Sequence, residues 1–226
     1  MSPGTQPLRI EIRDQDVSAL YQRAEHQHAL LVFAHGAGAG MQHAFMASIS
    51  DELATRGIAT LRYQFPYMER GRRAPSPRAL LLATVRAAVA RARDLAAELP
   101  LFAGGKSMGG RMTSLAAASD GGLPGLRGIV FFGFPLHAAG KAGSERADHL
   151  KDVGLPMLFL QGTRDKLAEL SRLEPVCAEL GTSATLHVVE GGDHSFQVLK
   201  RSGRSESEVR SELADAVVRF VELHTP

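Results

Sequence analysis

Three side chains that together can carry out acyl transfer each follow a segment with the character of a strand. They are a serine, a histidine and an aspartate. The serine is Ser107, at the centre of the sequence Gly-Lys-Ser-Met-Gly. This G-x-S-x-G pattern between an apolar run and a helical segment is typical of a nucleophile elbow. The elbow leaves no space for a Cβ two residues before or after the serine, which accounts for Gly105 and Gly109. Alone, the pattern is also compatible with a glycine-rich turn, so the assignment depends on its partners.

A serine nucleophile needs a base, and the base needs an acid that orients it. The acid candidate is Asp165, directly after the apolar segment 157–161, and the base candidate is His194, in the glycine-rich turn after segment 185–189. The order serine, acid, histidine along the chain is that of enzymes with a G-x-S-x-G elbow on a parallel sheet. We therefore predict Ser107, Asp165 and His194 as a catalytic triad.

Other histidines and acids fit these positions less well. His187 lies within a predicted strand, and His224 lies at the end of the chain. Asp193 adjoins His194 and is expected to point elsewhere, whereas Asp148 and Asp152 precede their strand.

Acyl transfer also requires N–H donors where negative charge develops on the carbonyl oxygen. One donor is expected from Met108, directly after the serine. The second is expected from the loop His35-Gly36-Ala37-Gly38 after the first central strand, with Ala37 as the first choice and Gly38 as the second.

The hydrophobic periodicity predicts strands that alternate with helices. Continuous apolar runs indicate parallel strands buried on both faces, and four-residue spacing indicates amphipathic helices. We expect residues 1–7 to fray and the loop 64–75 to be irregular. The pattern predicts an α/β fold, one domain over residues 1–226 with a mostly parallel sheet covered by helices on both faces. The predicted strands are 8–12, around 17–21, 29–34, 58–63, 101–103, 128–134, 157–161 and 185–189, and the predicted helices are 42–56, 78–98, 111–118, 166–180 and 206–223.

Composition argues against several kinds of partner. The chain has 226 residues, a formal net charge of +2 and a single cysteine, Cys177. This balance predicts no nucleic-acid partner. No apolar run approaches a membrane span and no signal-peptide pattern begins the chain, so we expect no membrane association and a cytoplasmic location.

Two cofactor interpretations are rejected. His35 and His43 lack a third ligand at a suitable spacing for a metal, and the glycines at 36–40 are out of register with a dinucleotide-binding G-x-G-x-x-G. Cys177, among apolar neighbours, is assigned to packing. We predict neither a metal nor a cofactor.

Several longer motifs extend over about residues 30–200. Together they resemble small bacterial α/β-hydrolases without a lid, related to the dienelactone hydrolase-like group. Within that group the chain is similar to the subgroup that shares its domain with a eukaryotic chromatin-complex subunit and a testis-expressed protein. The resemblance implies Ser107, Asp165 and His194 as the triad, which are the residues predicted above from the motifs. It does not identify the substrate. The motifs are HGAGAGM at 35–41, FPYMERGRR at 65–73, GGKSMGGRM at 104–112, GFPLH at 133–137, LFLQGTRD at 158–165 and EGGDHSF at 190–196.

The segment 135–155 is too short for a helical cap over a long acyl chain. We therefore predict an open site that hydrolyses short-chain or soluble carboxylic esters or thioesters. Two alternatives remain: a catalytically silent binding scaffold with the same fold, and an acyltransferase that uses the triad. Four residues are candidates for contact with an anionic substrate at the mouth of the site, although a solvated loop also explains them. These residues are Tyr67, Arg70, Arg72 and Arg73.

Overall fold

A computed structural model describes residues 4–225. Eight strands form a single sheet in the order β1-β2-β4-β3-β5-β6-β7-β8. The first two strands pair antiparallel to each other and to β4, and all further pairs are parallel. The predicted α/β fold is therefore confirmed. The strands are β1 (Thr5–Ile12), β2 (Gln15–Gln22), β3 (Ala29–Ala34), β4 (Ile58–Tyr63), β5 (Leu101–Lys106), β6 (Leu126–Phe132), β7 (Met157–Gly162) and β8 (Ala184–Val189).

Helices cover both faces of the sheet, because its central strands are apolar on both sides. Residues of α1 and α6 share one core with one face of the strands, and residues of α3, α4 and α5 share the other. Of the helices in residues 4–225, none has the combination of length and apolar character that crossing a lipid bilayer requires. The helices are α1 (Ala44–Ala54), α2 (Pro66–Glu69), α3 (Arg78–Leu95), α4 (Met108–Ala117), α5 (Leu170–Leu180) and α6 (Glu206–Leu223).

Several predicted boundaries are wrong. Residues 5–7, which were expected to fray, are the start of β1 and pair with β2. The same prediction for residues 1–3 lies outside the described residues. The loop 64–75 contains the single-turn helix α2, which is too short to produce a periodic pattern. Helix α3 begins at Arg78, as predicted, but ends at Leu95, three residues before the predicted end.

The helix after the serine begins earlier than expected, and helix α5 begins later. Helix α4 begins at Met108, because the chain passes from the elbow directly into a helical turn that includes Gly109 and Gly110, which the predicted segment 111–118 left out. Helix α5 begins at Leu170, since the Asp165 carboxylate accepts the N–H of Leu167 at 2.8 Å and holds that segment as a turn.

Candidate active site

The three predicted catalytic side chains meet at the carboxyl edge of the parallel strands. Ser107 follows β5 directly, Asp165 lies in the turn after β7, and His194 lies in the turn after β8. His194 Nε2 is 2.9 Å from Ser107 Oγ, and His194 Nδ1 is 2.7 Å from Asp165 Oδ2. A carboxylate only accepts hydrogen bonds, so Nδ1 carries a proton, and an unprotonated Nε2 can accept the serine hydroxyl. The geometry forms one continuous hydrogen-bonded chain.

The Asp165 carboxylate is buried, with 3% of the residue exposed. Its Oδ2 also accepts Gln161 Nε2 at 2.6 Å. Burial by itself would raise the pKa of Asp165. The hydrogen bond from His194, the positive charge of that ring when it is protonated, and the hydrogen bonds from the Leu167 N–H and Gln161 hold the pKa below its usual value. Asp165 is consequently ionised at neutral pH and able to stabilise a positive charge on the histidine.

The elbow has the backbone strain that its sequence implies. Ser107 has φ 51° and ψ −115°, in a region that non-glycine residues rarely adopt. A Cβ on Gly105 or on Gly109 would lie 2.5 Å from the carbonyl oxygen of Ala34. The tightest position is Gly104, where a Cβ would lie 1.9 Å from the carbonyl oxygen of Val130. The glycines allow β5 and α4 to pack close enough to lift the serine off the sheet edge.

Two N–H groups are available beside the serine. Met108 is the first residue of α4, and Ala37 lies in the loop after β3. Among the described residues, neither of their N–H groups has a hydrogen-bond partner. The N–H of Gly38, the second choice, donates to Tyr67 Oη at 3.3 Å. Ala37 and Met108 line the same cavity as Ser107, and the assignment of their N–H groups as oxyanion donors stays a prediction.

His35 fixes the loop that carries Ala37. It is fully buried, and its Nε2 accepts the N–H of Phe65 at 3.0 Å. The proton is therefore on Nδ1, which donates to the carbonyl of Gly36 at 2.8 Å. Burial lowers the pKa of His35 to about 4, so the ring is neutral. Sequence reasoning considered His35 only as part of the loop or a metal pair and missed this role.

Lys106, the residue before the serine, was also missed by the sequence reasoning. Its ammonium donates to the carbonyl oxygen of His194. It lies 5.4 Å from the ring centroid of Phe196 and 5.9 Å from that of Phe45. Burial lowers the pKa of Lys106 to about 8, although the charges of Asp165 and Asp193 act in the opposite direction. The lysine joins the nucleophile strand to the histidine turn.

The competing residues lie elsewhere, as expected. Asp193 Oδ1 accepts the N–H groups of Ser195 and Gln197 at 2.8 and 3.0 Å. His187 lies in β8 and contacts Glu212 Oε1 at 2.9 Å. Cys177 is partly buried on α5, where burial and Glu174 raise the pKa of its thiol to about 11.

Two open cavities reach Ser107. One, about 460 Å³, lies between the loop of Ala37 and the turn of His194. The other, about 450 Å³, lies between α3, α4 and the segment after β6. That segment contains only a 3₁₀ helix at Glu145–Asp152, whose Leu150 is buried. The site accordingly has no lid.

The residues predicted at the mouth do not reach these cavities, and this prediction is corrected. Tyr67 is 2% exposed and packs beneath the loop of Gly38. The turn of α2 directs Arg70 back toward β2, where Nη2 donates to Gln15 Oε1 at 2.7 Å. Arg72 and Arg73 are exposed, and none of the four residues lines either cavity.

The sheet order and the groups at its strand ends define an α/β-hydrolase fold. The chain belongs to the family described as alpha/beta hydrolase domain, whose family model matches residues 27–222. The resemblance to lidless, dienelactone hydrolase-like proteins is thus confirmed, while the narrower likeness to the chromatin-subunit subgroup stays a prediction.

Solved structures share the fold over nearly the whole chain. Dienelactone hydrolase from Anabaena variabilis is 18% identical, with a TM-score of 0.78 over 99% of this chain and 100% of that one. XC6422 from Xanthomonas campestris, described as a serine hydrolase without lid, is 18% identical, with a TM-score of 0.75 over 100% and 99%. Est1E from Butyrivibrio proteoclasticus, solved with ferulic acid bound, is 16% identical, with a TM-score of 0.76 over 96% and 98%. At these identities the likeness extends to the fold alone.

Proposed function

We propose that this protein is a serine hydrolase that cleaves short-chain or soluble carboxylic esters or thioesters through an acyl-enzyme on Ser107. The observation that carries the proposal is the hydrogen-bonded chain from Ser107 through His194 to the buried Asp165. The description of structural neighbours as serine hydrolases and esterases supports it.

In the first half of the reaction, Ser107 Oγ attacks the ester carbonyl carbon while His194 Nε2 takes the hydroxyl proton. The electron pair of the carbonyl π bond moves to its oxygen, which the N–H groups of Ala37 and Met108 stabilise. The intermediate collapses when the bond to the leaving group breaks. His194 donates its proton to that group, and the acyl chain remains on the serine.

In the second half, water attacks the acyl carbon and His194 takes a proton from it. Collapse of the second intermediate breaks the bond to Ser107 Oγ, which recovers its proton from His194, and the carboxylic acid leaves. Asp165 remains ionised throughout and stabilises the imidazolium that forms twice in each cycle. Lys106 keeps the turn of His194 close to the nucleophile strand through its hydrogen bond to the His194 carbonyl.

The test is hydrolysis of p-nitrophenyl acetate, butyrate and decanoate by wild type and by Ser107→Ala. We expect kcat to fall by at least about 1,000-fold in the variant, because the nucleophile is lost. In wild type, kcat/KM should decline as the acyl chain lengthens, because the cavities are open. Ser207→Ala on the exposed start of α6 is the matched control and should retain wild-type activity. Ester hydrolysis that survives in a folded Ser107→Ala protein would refute the proposal.

A further inference from the structure

The cavity between α3 and α4 has three arginines from three different elements. Arg78 is the first residue of α3, Arg111 lies one helical turn after the serine in α4, and Arg146 lies in the 3₁₀ helix after β6. All three line the cavity of about 450 Å³ to which Ser107 and Met108 also contribute. Three positively charged side chains therefore line the cavity beside the nucleophile.

In the part of the chain that the structure describes, these arginines have no carboxylate partner within ion-pair distance. Arg146 Nη1 donates to the carbonyl oxygen of His137 at 2.9 Å, and Arg111 Nε is buried without a hydrogen-bond partner in the described part of the chain. Within residues 4–225, none of the three forms an ion pair. Other arginines of the chain do pair with carboxylates, namely Arg9, Arg56, Arg172, Arg204 and Arg210.

Acidic residues around this cavity act on the neighbouring histidines. Glu169 contacts His137 Nε2 at 3.0 Å and Arg172 Nε at 3.6 Å. The charges of Asp148 and Asp152 act to raise the pKa of His149, whose Nε2 is 2.8 Å from Ser114 Oγ. Burial and the nearby Arg111 lower the pKa of His149 to about 4, so this ring adds no charge of its own at neutral pH. Within residues 4–225, no carboxylate therefore lies within ion-pair distance of the three arginines of the cavity.

The electrostatics of Arg111 agree with this geometry. Burial, followed by the like charges of Arg146 and Arg78, lowers the pKa of its guanidinium. Arginine nevertheless remains protonated in proteins, so the mutual repulsion persists in the folded state. A partly buried cluster of like charges costs free energy that an anion with several acceptor oxygens would offset.

We infer that the cavity of Arg78, Arg111 and Arg146 binds an anionic group, a carboxylate or a phosphate, on the ester substrate while the ester carbonyl lies at Ser107. This inference rests on the proposed function and specifies its substrate class. Planar guanidinium groups match both kinds of oxyanion through paired hydrogen bonds. The fold places Arg111 on the first turn after the nucleophile, so both ends of a small substrate are held by one helix terminus.

The test compares two esters of equal acyl length, mono-p-nitrophenyl adipate and p-nitrophenyl hexanoate. Wild type should favour the anionic ester by at least about 10-fold in kcat/KM at low salt, and the preference should shrink as salt screens the charges. Arg111→Gln and Arg146→Gln should lose that preference while keeping the rate on the hexanoate ester within about three-fold. Arg219→Gln, an exposed arginine of α6, removes the same charge elsewhere and should retain the preference.

Two variants are used because one of them could fail to fold. Thermal unfolding identifies a variant that is not folded, and the result of the test is then read from the folded one. Equal rates on both esters in active wild type, or a preference that persists in folded Arg111→Gln and Arg146→Gln, would overturn the anion site. Wild type that cleaves neither ester and reacts with no fluorophosphonate would instead overturn the proposed function.

Two inhibitors identify the anion. Glutarate and phenyl phosphate are each tested against hydrolysis of the hexanoate ester, with neutral glutaramide as the control. Competitive inhibition by glutarate in wild type and not in Arg111→Gln would assign a carboxylate, and the same result with phenyl phosphate would assign a phosphate. Inhibition by neither, or equal inhibition by glutaramide, would contradict the inference.

Discussion

At the scale of single residues, the proposed catalytic apparatus depends on the direction of two hydrogen bonds. Asp165 accepts from His194 Nδ1, and this fixes the tautomer whose Nε2 can accept the proton of Ser107. Asp165 is itself fixed by Gln161 and by the N–H of Leu167. An amide of the same shape at position 165 would change the chemistry with little change in packing.

Asp165→Asn is therefore expected to lower kcat for ester hydrolysis by at least about 1,000-fold, because the amide can donate to Nδ1 and favours the wrong tautomer. The protein should remain folded by circular dichroism. NMR of the imidazole N–H signals in wild type and the variant would reveal the tautomer. Unchanged kcat in Asp165→Asn would mean that the carboxylate does not serve the histidine.

Lys106 gives a pH-dependent prediction of stability. Its pKa is lowered from 10.5 to about 8 by burial in the folded protein. The unfolded chain thus binds this proton more tightly than the folded protein does. The contribution of Lys106 to the free energy of unfolding is therefore complete above pH 10.5 and is lost as the pH falls through about 8. At neutral pH the charged lysine costs up to about 3 kcal/mol.

The variant Lys106→Met removes this dependence. Relative to Lys106→Met, wild type should gain unfolding free energy as the pH rises from 7 to 10, measured by urea unfolding of both proteins. The comparison between the two proteins cancels other groups that titrate in this range. A difference that stays constant with pH would mean that Lys106 keeps its ordinary pKa in the folded state.

A site residue could be predicted from the sequence when its position in the fold follows from the order of the strands along the chain. Ser107, Asp165 and His194 were chosen correctly as residues that meet, because each follows a strand whose end lies on one sheet edge. Arg78 and Arg146 were missed, since they are brought to Ser107 from loops and helix ends with no common spacing in sequence. Arg111 did carry a signal, namely its position four residues after the serine.

At the scale of elements, the junction of β5 and α4 positions the nucleophile. Strand β5 lies between β3 and β6, and its glycines lie so close to the neighbouring backbone that a Cβ would not fit there. Buried strands were predictable because continuous apolar runs define them. Short elements such as α2 were not predictable, because four residues held by tertiary contacts have no periodicity to detect.

Gly104→Ala should destabilise this junction strongly. The added Cβ would lie 1.9 Å from the backbone oxygen of Val130, which cannot move without breaking the sheet. The free energy of unfolding should fall by at least about 2 kcal/mol, as overpacking at a rigid site predicts. Gly36→Ala is the control, since its nearest neighbour would be 3.5 Å away, and it should change urea stability much less.

At the scale of the whole molecule, one continuous sheet separates two apolar cores. Strands β3, β5 and β6 contribute side chains to both, so neither core can be lost without exposing the other. The predicted single domain over residues 1–226 should accordingly unfold in one transition. Urea unfolding followed by circular dichroism and by loss of esterase activity should give coincident midpoints. Separate midpoints would indicate that the site region opens independently.

Labelling with a fluorophosphonate probe tests the central proposal most directly, because the reagent reacts with a serine only when a base activates it. Wild type, Ser107→Ala and His194→Ala are labelled at neutral pH, and the modified peptide is identified by mass spectrometry. We predict labelling of Ser107 in wild type, none in Ser107→Ala, and labelling slowed by at least about 100-fold in His194→Ala. Folded wild-type protein that resists the probe, or labelling of a different residue, would contradict the proposal that Ser107 is the activated nucleophile.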